Sequence, residues 1–213
     1  MGSVQPIVAV SFDLFGTLVV AETPDDPAAA VAEALAERGV SVPPDFGDAY
    51  REVHVDAPVG AEVPLPAHVA AALASRGVDA PNNAARRAVV AAFDPTVSRR
   101  EGARSAIDAA AERGPVGLCS NCSVPELVGR TLVRAELRGV FDAVVSSVGC
   151  GWRKPDPRAF EAVAGRLGAD TESLVHVGDD PEADGGIEAA GGRFLDVEDI
   201  GLPGLASRLE SLP

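Results

Sequence analysis

The chain of 213 residues is 46% hydrophobic and 23% charged, a balance that supports a packed globular fold and excludes extensive disorder. Its formal net charge of −14 argues against a nucleic-acid binder, because phosphate backbones are held chiefly by Lys and Arg. There is no run of about 18 uncharged apolar residues and no basic start typical of a signal peptide, so a soluble, cytoplasmic protein is expected.

The stretch Val8 to Val19, V-A-V-S-F-D-L-F-G-T-L-V, opens the chain's organisation. Its first five residues read as a buried parallel strand that runs into Asp13, with Gly16 allowing a tight turn just beyond. After a Pro- and Asp-containing junction at Glu22 to Asp26, four helical patterns follow: Pro27 to Arg38, Pro43 to His54, Pro66 to Arg76, and a segment capped by Asn82 or Asn83 that runs to Phe93. Nothing between Ala21 and Phe93 reads as a strand, so this region is expected to be a compact helical insertion.

From Pro95 helix and strand alternate. Helices are expected over Gly102 to Arg113, Pro125 to Arg138 and Arg158 to Leu167, with a helical stretch at Gly186 to Ala190; strands over Pro115 to Cys119, Ala143 to Ser147, Leu174 to Val177 and Arg193 to Asp196. Such alternation implies a parallel sheet wound with right-handed crossovers. The expected fold is therefore α/β: a Rossmann-like parallel sheet flanked by helices, with a small helical domain at 21–93 inserted after the first strand and a core made of 1–20 and 94–213.

Charge carries further information. Residues 21–93 hold 11 acidic and 5 basic residues, net −6, against −8 for the rest, so the whole surface is acidic rather than one tail. This balance, rich in Ala, Val and Asp, resembles that of proteins from salt-loving archaea, where high ionic strength screens self-repulsion. The cations comprise 17 Arg and one Lys, Lys154. Arginine serves every other cationic position, so this one is read as needing a compact ammonium. Cys119, Cys122 and Cys150 cannot all pair and are expected to be free thiols, since no further Cys or His pair completes a zinc set around the C-x-x-C.

Each main strand ends in a different polar group. The first supplies Asp13, the second Ser120 and Asn121, and the fourth Asp179, Asp180 and then Asp184; the loop after the third supplies Lys154. In a parallel sheet these ends share one edge, where ligands collect. Several carboxylates converging beside one lysine call for a hard divalent cation held by oxygen.

Four segments, F-D-L-F-G-T-L (Phe12 to Leu18), S-N (Ser120, Asn121), K-P-D-P (Lys154 to Pro157) and G-D-D-P-E-A-D (Gly178 to Asp184), in this order and spacing resemble the haloacid dehalogenase-like hydrolase superfamily. The resemblance implies that the helical insertion is a cap domain that selects substrate. It implies that Asp13 is the nucleophile, forming an aspartyl intermediate, that Ser120 hydrogen-bonds the transferring group, and that Lys154 neutralises charge on it. Thr17 and Asn121 are implied to meet substrate. Magnesium is implied to be held by Asp13, the carbonyl of Phe15, Asp179 and Asp184, with Asp180 in the acidic shell. The implied partner is a small phosphorylated metabolite, with the protein acting as a monomer or homodimer.

Most phosphatases of this superfamily carry a second aspartate two residues after the nucleophile, where it protonates the leaving oxygen. Here that residue is Phe15. General acid catalysis is typically worth about 10² to 10⁴-fold, so the change points to acyl, enol or aryl phosphates, to a substitute acid, or to another reaction. The alternatives are a 2-haloacid dehalogenase, which needs no proton for the departing halide, and a binding or regulatory protein on the same scaffold. The acidic Gly178 to Asp184 segment favours the magnesium-dependent phosphatase. His176 is read as a packed core residue and Trp152 as a cover for the sheet edge or a contact to cap or substrate. Arg86, Arg87, Arg99 and Arg100 are read as solvated or ion-paired.

Overall fold

The computed structural model describes residues 9–212; Val8, assigned above to the first strand, lies outside them. In chain order the strands are β1 (Ala9–Phe12), β2 (Val19–Ala21), β3 (Val97–Arg99), β4 (Val116–Ser120), β5 (Ala143–Ser146), β6 (Leu174–Gly178) and β7 (Arg193–Asp196). Five of them form a parallel sheet in the order β5-β4-β1-β6-β7. β1 is central and all four of its residues are buried, as expected for a strand covered on both faces. The chain steps from β1 outward through β4 and β5, then returns to β1's other side for β6 and β7. The loops leaving β1, β4 and β6 therefore diverge around one crevice at the carboxyl edge.

The helices are α1 (Pro27–Ala36), α2 (Phe46–Arg51), α3 (Leu65–Ser75), α4 (Ala84–Ala92), α5 (Ala103–Ala111), α6 (Leu127–Arg134), α7 (Ser147–Cys150), α8 (Pro157–Leu167), α9 (Val197–Ile200) and α10 (Leu205–Glu210), with 3-10 turns at Thr171–Ser173, Asp184–Ala190 and Leu202–Gly204. Strand alternation sorts the sheet into two cores. Val10, Phe12, Val116, Leu118, Val175 and Val177 join the larger core with α5. Ala9, Cys119, Val145 and Leu174 pack instead with Phe160 and Val163 of α8. Gly117 lets α8 approach: a Cβ there would lie 2.7 Å from Val163 Cγ2.

The helical insertion is present as α1 to α4, but its junction differs from the expectation. Val19–Ala21 and Val97–Arg99 form an antiparallel pair, with Val20 opposite Ser98. Both strands have only three residues, too few for a period-two pattern to register in the sequence. Ala61, also read as non-strand, makes an isolated antiparallel bridge to Trp152. Of the two expected caps, Asn82 and Asn83, it is Asn83 that occupies the N-cap position of α4, in a left-handed conformation and without a side-chain capping bond. The turn-rich segment after β5 contains the single turn α7, and the C-terminal α9 and α10 went unassigned. No helix of the described residues is long and apolar enough to cross a membrane, and all three cysteines are free.

Candidate active site

The site forms where β1, β4 and β6 end. Buried β1 leads directly into Asp13, whose backbone N–H donates to Val177 O at 2.9 Å and ties it to β6. The K-P-D-P segment sets Lys154 and starts α8 at once: Asp156 accepts the Arg158 N–H as N-cap, and Pro157 takes the first helical position. Asn121 fixes the same segment from β4, its Oδ1 accepting from Lys154 N–H at 2.8 Å and its Nδ2 donating to Lys154 O at 2.9 Å. The Asn121 amide is thus engaged by the backbone of the lysine loop.

Lys154 is 4% exposed and its Nζ lies 2.8 Å from Asp13 Oδ1 and 2.5 Å from Asp184 Oδ1. Burial pushes the Asp13 carboxyl up to about 6 against the pull of Lys154. Burial works the same way on Asp184, yet its bond to His176 and the Lys154 charge hold it well below the usual carboxylate range. Burial would lower the Lys154 ammonium, but Asp13 and the other anionic neighbours raise it. The ammonium is therefore charged throughout the physiological range.

Carboxylate oxygens of Asp13, Asp179 and Asp184 lie within 4.8 Å of one another. Three carboxylates against one ammonium leave excess negative charge in a largely buried space, and their hard oxygens suit a divalent cation such as magnesium. Two glycines make the grouping possible. A Cβ at Gly16, whose φ is +85°, would collide with the Asp179 carboxylate, and one at Gly178 would collide with that of Asp184. Thr17, fully buried, donates to Asp179 Oδ1 at 2.6 Å; it orients an acidic side chain. Asp180 lies outside the three-carboxylate set: its Oδ1 accepts the N–H groups of Glu182 and Ala183 while its own N–H donates to Asp184 Oδ2. Ser120 is 2% exposed, and its Oγ has no hydrogen-bond partner among the described residues. On the strand beside that of Asp13, this buried hydroxyl is free to donate to a ligand.

The sequence reading missed two parts of this neighbourhood. His176 is buried, packed edge-on to Phe160, but it also links Ser11 Oγ (2.8 Å from Nδ1) to Asp184 Oδ1 (3.0 Å from Nε2). Burial pushes the imidazole down to about 4, so it is neutral and positions Asp184 by hydrogen bonding. The available signal was strand pairing: Ser11 and His176 are register partners and both interrupt otherwise apolar strands. The second part is Glu62 of the insertion, which accepts from Ser147 Oγ; that hydroxyl in turn accepts the Cys122 N–H at 2.8 Å. Arg153 approaches the same carboxylate at 3.5 Å. Trp152 meets the insertion through Ala61 and carries the Arg158 guanidinium 3.2 Å above its ring. Three of the flagged arginines are engaged: Arg86 with Glu126, Arg99 with Glu136, and Arg100 with Glu198 and Gly16 O.

A profile of the haloacid dehalogenase-like hydrolases matches residues 7–191, and the chain belongs to that family. Phosphatase MT3486 of Mycobacterium tuberculosis is 37% identical over 100 residues, 46% of each chain. The matched region thus spans about half the length of that curated relative. Among solved structures, the 2-haloacid dehalogenase of Pseudomonas syringae pv. Tomato DC3000 is similar at a TM-score of 0.63, with 20% identity over 96% of this chain and 97% of the other. The HAD-hydrolase YfnB of Bacillus subtilis, solved bound to magnesium, is similar at 0.55, with 19% identity over 97% and 98%. Likeness at this identity concerns the fold, which dehalogenases and phosphatases share.

Proposed function

We propose that the protein is a magnesium-dependent phosphatase for a small phosphorylated metabolite, with Asp13 as nucleophile. The observation that carries this reading is the acidic trio of Asp13, Asp179 and Asp184 around Lys154, with the unpartnered Ser120 hydroxyl beside it. A haloacid substrate is an anion at a carbon centre, and such a trio would repel it. A phosphatase uses the trio to hold magnesium, which offsets the charge of the phosphoryl group when bound.

Asp13, Asp179 and Asp184 would hold the ion, and the Phe15 carbonyl is the fourth candidate ligand. Asp13 attacks phosphorus in line with the departing oxygen, forming an aspartyl phosphate that water then hydrolyses. Ser120 donates to a phosphoryl oxygen, giving its buried hydroxyl the partner it lacks. Lys154 keeps Asp13 ionised and neutralises the transferring oxygens as a point charge. Asn121 acts as a positioning residue through the Lys154 backbone, and Thr17 through Asp179, in place of the substrate contacts that the resemblance implied. We assign residues 21–93 to a substrate-selecting cap and 1–20 with 94–213 to the catalytic core. Magnesium in YfnB and the name of the tuberculosis relative are consistent with this chemistry.

The test is phosphate release from an activated aryl phosphate with and without magnesium. Release is expected to require the ion and to vanish in Asp13→Asn; release that persists in that variant or in chelator overturns the reading. Phe15, an aromatic residue where an acid is usual, favours the second reading, a 2-haloacid dehalogenase. Chloride released from 2-chloropropionate in the presence of chelator would establish it instead.

A further inference from the structure

A cavity of about 500 Å³ opens against the nucleophile loop, bounded by Phe15 and Gly16, by both linkers to the helical insertion, and by the segment that follows Ser120. Its size suits one small ligand. Its walls do not suit a polyhydroxylated one. Of fifteen lining residues only Glu22 and Arg153 are charged, while Phe15, Val20, Pro24, Phe93, Val124 and Leu127 present carbon to the space. Of the polar side chains, Asn121 is bound to both backbone atoms of Lys154, the Cys122 thiol donates to Val124 O at 3.4 Å, and Arg153 approaches Glu62 at 3.5 Å, which leaves Glu22, Thr23 and Ser123 to meet a ligand. A sugar buried here would present more hydroxyls than these three side chains can serve, and each one left without a partner carries a cost.

We infer that the leaving group of the substrate is an apolar ring, seated between Phe15 and Phe93, so that the substrate class is an aryl phosphate monoester. This rests on the phosphatase reading above and narrows it. Two observations agree. The cavity is apolar and carries two aromatic side chains, against which a ring packs favourably. The position that would supply a proton to the leaving oxygen is itself one of those aromatics. A phenol ionises near the tyrosine value of about 10, whereas an alkanol, like water, ionises only at far higher pH, so only an aryloxide departs readily without an acid. In the step, an Asp13 oxygen bonds to phosphorus, the phosphorus–aryl oxygen bond breaks, and its electron pair leaves on the aryloxide, which takes a proton from water. Water then adds to phosphorus, the bond to Asp13 breaks, and inorganic phosphate departs with the carboxylate restored.

Hydrolysis of phenyl phosphate, ethyl phosphate and glucose 6-phosphate by the full chain with magnesium tests this. The expected kcat/KM for phenyl phosphate exceeds the other two by about 10² or more. Val20→Asp, which introduces charge at a cavity wall that is 55% exposed and so tolerant of substitution, is expected to raise KM for phenyl phosphate about tenfold and by a clearly larger factor than for ethyl phosphate. Equal or faster turnover of the sugar ester, or an equal Val20→Asp effect on both esters, overturns the inference. Binding of phenylphosphonate and methylphosphonate by calorimetry separates the two claims. If no ester is hydrolysed, the phosphatase reading fails, yet the cavity assignment stands when phenylphosphonate binds about tenfold tighter or better, and it falls when the two bind alike.

Discussion

Lys154 and Asp13 are 141 positions apart in the chain, and their side-chain tips are 2.8 Å apart. The chain's single lysine meets the carboxylate at the end of its central strand, in a space where both are almost completely enclosed.

Enclosure makes the lysine irreplaceable by arginine. A planar guanidinium cannot bring one compact charge to Asp13 and Asp184 in the same small space. Lys154→Arg is expected to lower kcat for an activated aryl phosphate roughly 10² to 10³-fold. Lys154→Met, which leaves the buried acids without their counter-charge, is expected to cost on the order of 3–5 kcal/mol of stability at pH 7. Steady-state kinetics and urea unfolding measure the two effects.

Asp13 is expected to trade stability for chemistry. Its folded-state pKa of about 6 lies above the ordinary value of 3.8, so between these values the folded state holds more protons than the unfolded one and stability falls as pH rises. Above about pH 6 the cost is complete. In metal-free buffer Asp13→Asn should therefore be more stable than the parent at pH 7.5, by up to about 3 kcal/mol. The advantage should vanish near pH 4. Urea melts across that range check the sign; a variant less stable at every pH would contradict it.

His176 has the opposite slope. Its pKa is depressed to about 4 from 6.5, so the unfolded chain binds the proton first and stability falls as pH drops through this window. Replacing it by Phe removes the titration and the bonds to Ser11 and Asp184. His176→Phe is expected to be less stable at pH 7.5 by about 1–3 kcal/mol and to show a flatter acid limb than the parent in the same melts.

Phe15→Asp restores a carboxyl two residues after the nucleophile. It is expected to raise turnover of ethyl phosphate by at least about tenfold and so to increase the ratio of ethyl to phenyl phosphate hydrolysis. An unchanged ratio would mean that protonation of the leaving oxygen does not limit the reaction.

The net charge of −14 predicts a salt response. At molar KCl the screening length falls to about 3 Å, which removes long-range repulsion but leaves the enclosed Lys154 pairs intact. The melting temperature is expected to rise by several degrees between dilute buffer and molar KCl, about 2–4 °C for each kcal/mol gained. Calorimetry at the two ionic strengths measures it.

What could be read in the sequence was whatever lies at the end of a regular element. Asp13, Ser120 and Asp179 each end a run of buried residues, so strand ends and parallel topology alone place them on one edge. Lys154 stood out by composition alone. The parts that escaped depend on pairing between distant segments. Thr17 meets Asp179 across 162 positions and Ser11 meets His176 across 165; Ser11 and His176 each interrupt an apolar strand, but only the pairing of the two strands shows that they meet. The engagement of Asn121 with Lys154 escaped for a different reason: its partners are backbone atoms, which leave no trace in residue identity. Strands β2 and β3 were too short to impose a periodicity.

That short strand pair has an architectural consequence. Ala21 and Val97 face each other across it, so the chain leaves the core and returns within one interstrand spacing, about 5 Å. The intervening 75 residues leave and re-enter at these two strands, and they meet the core again where Ala61 bridges Trp152 and Glu62 accepts from Ser147. None of the five strands of the parallel sheet lies within the insertion, although its helices share a buried cluster with Leu14, Leu18 and Leu118. Under the cap assignment proposed above, grafting another insertion onto these two strands changes selectivity and leaves Asp13, Ser120 and Lys154 where they are.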